Sequence, residues 1–291
     1  MLENIELVAE NMPWVFTAFA FIFGACIGSF LNVCIYRIPN GESIVRPPSH
    51  CKCGAKIKWF DNIPILSWFL LRGRARCCGR KFSFRYAFVE ILTAYVFALV
   101  WAKFSPLAAL VFMFFCALLI VASFIDIDCM ELPDAITVGG CVAGCVLSFL
   151  VPQIHVKDMS ADLPFLFYAV KSFMVSAIGA FVGAGLLYWI RLIAEVVFGR
   201  EAMGEGDVVL IGCIGAFCGW QGALFAIFGG SLLGSAIMLP AVLFSKAFAR
   251  GENLSRMIPF GPWLSLGAAI YLLFAGEYVD LYFEGIREIF F

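Results

Sequence analysis

The stretch PLAALVFMFFCALLIVASFIDID, residues 106–128, decides the fold. From Pro106 to Ile125 it carries no charge, and about twenty such residues at 1.5 Å rise per residue cross the hydrocarbon of a bilayer. Two aspartates, Asp126 and Asp128, follow at its end. A carboxylate that close to hydrocarbon costs roughly 2.5–3.5 kcal/mol, so its presence there points to function before structure. Outward from this run, further apolar stretches occupy 13–36, 86–103, 133–152, 164–190, 206–219, 221–246 and 258–276. With 63% hydrophobic and 14% charged residues, the chain reads as an all-α polytopic membrane protein with about eight transmembrane helices. The leader Met1-Leu2-Glu3-Asn4-Ile5-Glu6 is acidic where a signal peptide would be basic, so the first helix is expected to stay in the mature protein.

One long polar excursion interrupts the pattern. Residues 37–85 hold eleven of the twenty basic residues against only Glu42 and Asp61, and the positive-inside rule places that loop in the cytoplasm. Alternating sides from there puts the N-terminus outside and Arg191, Arg200, Lys246, Arg250 and Arg256 inside, with Lys103, Lys157, Lys171 and Arg287 toward the outer face. Three regions follow: a first transmembrane helix over 1–36, a basic cysteine-containing cytoplasmic loop over 37–85, and a transmembrane domain over 86–291.

The same alternation brings Asp126 and Gly204-Glu205-Gly206-Asp207 to the cytoplasmic edge together. Asp126 closes one helix, where the negative end of the macrodipole and the adjoining hydrocarbon favour the protonated acid; Asp207 opens another, where the exposed amides favour the carboxylate. Two acids held in different states can share a proton and activate water, with Asp207 orienting the water and Asp126 polarising a carbonyl. Asp128, Glu131 and Asp134 complete a connection without Lys or Arg, and Pro133-Asp134 reads as the first turn of the next helix with Asp134 as a capping acid. Gly140-x-x-x-Gly144 and Gly230-x-x-x-Gly234 are small-residue pairs that let helices approach closely. Pro133, Pro240, Pro259 and Pro262 read as punctuation or kinks.

The sequence also excludes chemistries. His50 and His155 are the two histidines, no His-Glu-x-x-His zinc-protease motif is present, and Ser-His catalysis could run only through one of those two. Secondary transport with Asp126 and Asp207 as ion ligands is the alternative; it would place carboxylates near the midplane and carry an internal repeat, neither of which is visible. A non-catalytic scaffold is a third reading.

The residues then resemble a known family in order along most of the chain. Gly28-Ser29-Phe30-Leu31-Asn32-Val33 leads to Tyr36-Arg37-Ile38-Pro39; Asn62-Ile63-Pro64-Ile65-Leu66-Ser67-Trp68, Leu71-Arg72-Gly73-Arg74, Arg85-Tyr86 and Val89-Glu90 follow, then Asp126, Leu132-Pro133-Asp134 and Gly204-x-Gly206-Asp207. Together they resemble the prepilin peptidases, the type IV leader peptidase family of intramembrane aspartic proteases. The resemblance implies cleavage of the basic leader of prepilins or pseudopilins at the cytoplasmic face of a bacterial inner membrane, with Asp126 and Asp207 catalytic and no cofactor needed for proteolysis. It also implies N-methylation of the new N-terminus from S-adenosylmethionine; no nucleic-acid partner is expected. The chain departs from the family pattern at Val209, where many members carry Lys, and in its cysteine loop.

That loop contains Cys51-Lys52-Cys53 and adjacent Cys77-Cys78, with Ala75 where the usual pair of Cys-x-x-Cys motifs would have a cysteine. Each pair is followed by glycine, Gly54 and Gly79. Four thiols in a reducing compartment suit a structural zinc site that staples a segment too small for its own core; free thiols are the other reading. The remaining eight cysteines lie in or beside apolar runs and read as small core residues.

Overall fold

Apolar runs without water must satisfy every backbone amide internally, and helices do so within one segment. The computed structural model describes residues 12–48, 51, 53–156, 159–160, 163–199, 203–248 and 259–290. Arg200, Arg250, Arg256, Lys157 and His50 lie outside the described residues. The principal helices are α1 (Pro13–Arg37), α2 (Arg85–Lys103), α3 (Pro106–Cys129), α4 (Asp134–Leu150), α5 (Phe165–Phe198), α6 (Glu205–Phe248), α7 (Gly261–Ile270) and α8 (Gly276–Phe290), with a π-helical stretch Tyr271–Ala275 joining the last two. Among the described residues, six helical segments are long and apolar enough to cross a membrane: 14–37, 85–103, 106–129, 165–198, 205–240 and 261–283. The chain is a multi-pass, all-helical membrane protein.

Six segments stand where the sequence suggested eight, for two reasons. α4 has 17 residues, about 26 Å of helix, and is shorter than those six segments. The runs 206–219 and 221–246 are joined head to tail in α6, but Gly219 sits at φ 69°, ψ 179°, a non-helical conformation that breaks the segment where the two runs were separated. Glycine adopts that backbone without a Cβ penalty.

The chain divides into two compact units, residues 1–121 and 122–291, with the boundary inside α3. In the first, α1 packs along α2. A Cβ at Gly24 would lie 2.8 Å from the Ala94 Cα, and one at Gly28 would lie 2.7 Å from the Glu90 Cα, so both glycines are spacing residues. Polar side chains tie the two helices to each other and fasten the long loop to them. Asn32 donates to the Tyr86 carbonyl at 3.0 Å, the Glu90 carboxylate accepts the Ile65 amide at 2.6 Å, and the buried Arg37 guanidinium donates to the Ser43 and Pro47 carbonyls at 2.9 and 2.8 Å.

In the second unit α6 is the central element, packed by α4, α5 and α7. α5 presents Ser172, Ser176, Gly179, Gly183 and Leu187 as its buried stripe, and Gly179 and Gly215 bring the backbones of α5 and α6 into direct contact. The Gly140/Gly144 pair behaves as expected: Gly140 is buried, and a Cβ at Gly144 would lie 2.8 Å from the Ala216 Cβ. Gly230 and Gly234 receive Trp263 of α7. Near the Gly219 break, the Ala216 carbonyl accepts the Ser176 hydroxyl at 2.8 Å and the His155 Nε2–H at 3.1 Å.

Candidate active site

Three helix ends and one connection of the second unit meet around two acids. Asp126 occupies the last turn of α3, whose chain leaves the helix through Met130 in the left-handed region at φ 54°. A non-glycine residue there is strained, and such strain is held where the surroundings require it. Asp207 is the third residue of α6, at the helix N-terminus. The side chains are 5% and 7% exposed, so both acids are more than nine-tenths buried at the edge of otherwise apolar helices. They lie within Coulombic reach of each other.

The glycines flanking Asp207 are not merely flexible. A Cβ at Gly206 would lie 2.8 Å from the Leu132 Cβ, so the absence of a side chain lets the 130–133 connection close against the start of α6. Gly204 lies beside the Asp207 carboxylate. Asp207 Oδ1 is buried and has no hydrogen-bond partner among the described residues. Arg191 near the end of α5 reaches Glu205 at 3.3 Å and Glu195 at 2.8 Å, tying α5 to the start of α6. With Glu205 86% exposed, that contact adds little stability.

Asp126 is held from a third direction. Its Oδ2 accepts the Gly261 amide at 2.9 Å in a buried hydrogen bond, and a Cβ at Gly261 would lie 2.8 Å from the same oxygen. The acid thus stands between the C-terminus of α3 and the N-terminus of α7, whose dipoles present opposite signs to it. The sequence reading saw the first helix end and missed the second, taking the neighbouring prolines 259 and 262 as punctuation. Asp128, Glu131 and Asp134 are exposed, and α4 begins at Asp134 without a side-chain capping hydrogen bond from its N-cap, Pro133. Asp134 therefore acts at the helix start through charge rather than through a cap.

The first unit assembles the four loop thiols. The Sγ atoms of Cys51, Cys53, Cys77 and Cys78 all lie within 4.8 Å of one another, with Cys51 to Cys78 at 3.6 Å and Cys53 to Cys77 at 3.4 Å. Cys77 and Cys78 sit at the tip of a small hairpin closed by Ala75 N–H to Arg80 O, Phe82 N–H to Gly73 O and Gly79 N–H to Ala75 O. Ala75, in the expected cysteine's place, is thus part of the hairpin frame. Gly54 and Gly79 take positive φ of 86° and 68°, as the two tight turns require. The packed thiols polarise one another: the Cys53 amide and neighbouring thiols lower Cys51 to about 7, while donation to Cys53 and Cys51 pushes Cys77 up to about 12. The cluster could hold a metal.

Comparison with known proteins gives concordant results. Residues 22–104 match the Bacterial Peptidase A24 N-terminal domain, and residues 113–239 match the Type IV leader peptidase family. A Prepilin leader peptidase/N-methyltransferase of Myxococcus xanthus is 36% identical over 242 residues, covering 82% of this chain and 67% of the relative. One of the same name from Aeromonas hydrophila is 31% identical over 94% of this chain and 96% of its own. The Type 4 prepilin-like proteins leader peptide-processing enzyme of Escherichia coli is 36% identical over 91% of this chain and 97% of its own. No solved structure matches the chain.

Proposed function

Since this chain belongs to the type IV leader peptidase family, an aspartic peptidase family acting on prepilins, we propose that Asp126 and Asp207 form its catalytic pair. The observation that carries this reading is the convergence of two buried carboxyls, about eighty positions apart, at helix ends of one unit, with Asp207 Oδ1 left unpartnered. A buried polar atom without a partner is costly, and one aimed at a reaction site is ready to hold water.

The hydrogen bonds divide the labour. Asp126 Oδ2 already accepts the Gly261 amide, so a proton on this acid sits on Oδ1 and can be donated to the scissile carbonyl oxygen. Asp207, at the start of α6, uses its free oxygen to take a proton from water as that water attacks the carbonyl carbon. The tetrahedral intermediate collapses when Asp207 returns that proton to the leaving amine and Asp126 recovers its own from the hydroxyl. Over the cycle one peptide bond and one water are consumed, and the pair regains its shared proton.

The substrate in this reading is a prepilin or pseudopilin, cut between its basic leader and the apolar helix that follows. The finer organisation is proposed with it: a first transmembrane helix over 1–36, a cytoplasmic loop over 37–85, a protease domain over 86–291, an N-terminus outside a bacterial inner membrane and an active site facing the cytoplasm. The charge distribution of the sequence supports that orientation. The relatives' double name supports a second activity, N-methylation of the new N-terminus. S-adenosylmethionine would supply the methyl group.

Cys51, Cys53, Cys77 and Cys78 fit a tetrahedral zinc. Ligands at about 2.3 Å from the metal lie about 3.8 Å apart, close to the sulfur separations seen here. The metal would cross-link the two turns and take no part in hydrolysis.

The test is incubation of the purified protein with a prepilin and methyl-labelled S-adenosylmethionine, scoring cleavage and label together. Asp126→Asn and Asp207→Asn should each abolish cleavage while the protein inserts normally. Retained cleavage in either variant rules out the dyad.

A further inference from the structure

The proposed dyad leaves open what holds Asp126 in its working rotamer, and the N-terminus of α7 supplies the answer. Resting on that reading, we infer that Gly261 is a positioning residue whose backbone amide fixes Asp126 Oδ2 and thereby turns Oδ1 toward the reacting groups. The Gly261 amide is the side chain's hydrogen-bond donor in the structure, at 2.9 Å and buried.

The local sequence makes this donor specific. A helix begins with several amides that have no partner within the helix. In α7, Pro262 has no N–H, and the Trp263 and Leu264 amides return to the Phe260 carbonyl at 3.0 and 3.2 Å. Gly261 is left as the free donor of the first turn, and it points at the carboxyl. Glycine is required because a Cβ would stand 2.8 Å from Oδ2 and 3.3 Å from Cγ of Asp126. The carboxyl lies in the last turn of α3 and has no room to retreat while Ile125 and Ala122 around it are fully buried.

α7 is itself anchored well away from the acid. Gly267 lies against the Ala226 carbonyl and the Gly230 amide, and Trp263 fills the space beside Gly230 and Gly234, all on α6 beyond the Gly219 break. Asp207 is on the part of α6 before that break. The two halves of α6, joined at Gly219, therefore carry one acid directly and support the other through α7, so the relative placement of the two carboxyls depends on helix packing. Displacements near 1 Å at such a site cost about a hundredfold in rate.

The experiment uses the full-length protein in detergent or liposomes with a prepilin substrate. Replacing residue 261 by glycolic acid, an amide-to-ester change, removes the N–H and adds no atom; it should lower kcat about tenfold or more with KM within about twofold. Gly261→Ala should lower kcat about a hundredfold, and the ester decides the matter where the alanine variant fails to insert. The infrared carboxyl band of Asp126, assigned by its loss in Asp126→Asn, should shift in both. Gly24→Ala is the control, because its Cβ would lie 2.8 Å from the Ala94 Cα and strain the packing of α1 on α2 without touching α7 or the acid; it should lower thermal stability and leave the band in place. An ester that keeps kcat within about twofold overturns the proposal, as does a Gly24→Ala variant with the same band shift and the same kcat loss. If Asp126→Asn itself still cleaves, the catalytic reading fails instead, and the two failures are told apart.

Discussion

Asp126 and Asp207 are about eighty positions apart, more than nine-tenths buried and mounted on helices, whereas the four thiols fall between residues 51 and 78 and three of them are exposed. Asp126 is held by the Gly261 amide from 135 positions away, and Asp207 by its place at the start of α6, where Gly206 closes against Leu132. The thiols are held by turns that each close within a few residues, around Gly54 and around Gly79. A position set by helix packing is stiff but depends on every spacing residue between the groups it aligns. One set by local turns depends on few residues and tolerates change elsewhere, at the expense of needing a cross-link to stay together. The two centres should therefore fail differently when disturbed.

The largest effect after loss of either acid of the proposed pair is expected from a change that adds one methyl group to the packed centre. Gly206→Ala would put a Cβ 2.8 Å from the Leu132 Cβ, and both neighbours are backbone-anchored, so the 130–133 connection must move away from the start of α6. The expected outcome is a fall in kcat of about ten- to a hundredfold with near-normal membrane insertion, read from initial rates on a prepilin. Rates within about twofold of the parent would show that the acids tolerate slack, and the contrast between a stiff and a loose centre would dissolve.

The cysteine centre should behave in the opposite way. Cys53→Ser removes one of the four proposed zinc ligands, so zinc content measured on the purified protein should fall from about one per chain to well below it, and limited proteolysis within the loop should accelerate. Leader cleavage should stay within about twofold. A parent protein that carries no zinc, with the same proteolysis pattern in both forms, would leave the four thiols as a reduced cluster without a metal.

These differences also explain what could be read in the residues. The apolar runs announced the helices, because hydrocarbon leaves the backbone no other economical choice, and even the break at Gly219 lay between two runs taken separately. The two runs that meet at Gly219 remain two helices joined across a non-helical residue, and α4 is shorter than the six segments that are long and apolar enough to cross. Asp126 and Asp207 stood out because a carboxylate is costly in that setting. Gly261 did not: a Gly-Pro pair before an apolar run is ordinary helix punctuation, and its amide becomes meaningful only once α7 is docked on α6. Gly206 was legible as part of a motif, but the Leu132 contact that demands it is a tertiary fact. The amphipathic α8 lay beyond the last apolar run, since a helix with polar and apolar faces leaves no continuous apolar stretch to detect.

The smallest effect concerns stability rather than catalysis, at the point where the α6 ladder is interrupted. His155, in the connection after α4, directs Nε2 at the Ala216 carbonyl, which also takes the Ser176 hydroxyl. A carbonyl can only accept, so the ring donates from Nε2, and burial holds its pKa down at about 4 against an ordinary 6.5. The folded protein therefore resists protonation that the unfolded chain accepts. The resulting stability is fully present above pH 6.5, is lost progressively as pH falls from 6.5 toward 4, and changes no further below that. The limit is about 3 kcal/mol, less to the extent that water reaches the ring. Carboxyl groups titrate in the same window, so the informative quantity is a difference. The gap in Tm between the parent and His155→Gln should narrow or invert between pH 7 and pH 4, with cleavage rates at neutral pH within about twofold. Melting curves that run parallel over that range would mean that the histidine stays solvated, and that the break at Gly219 is held by Ser176 alone.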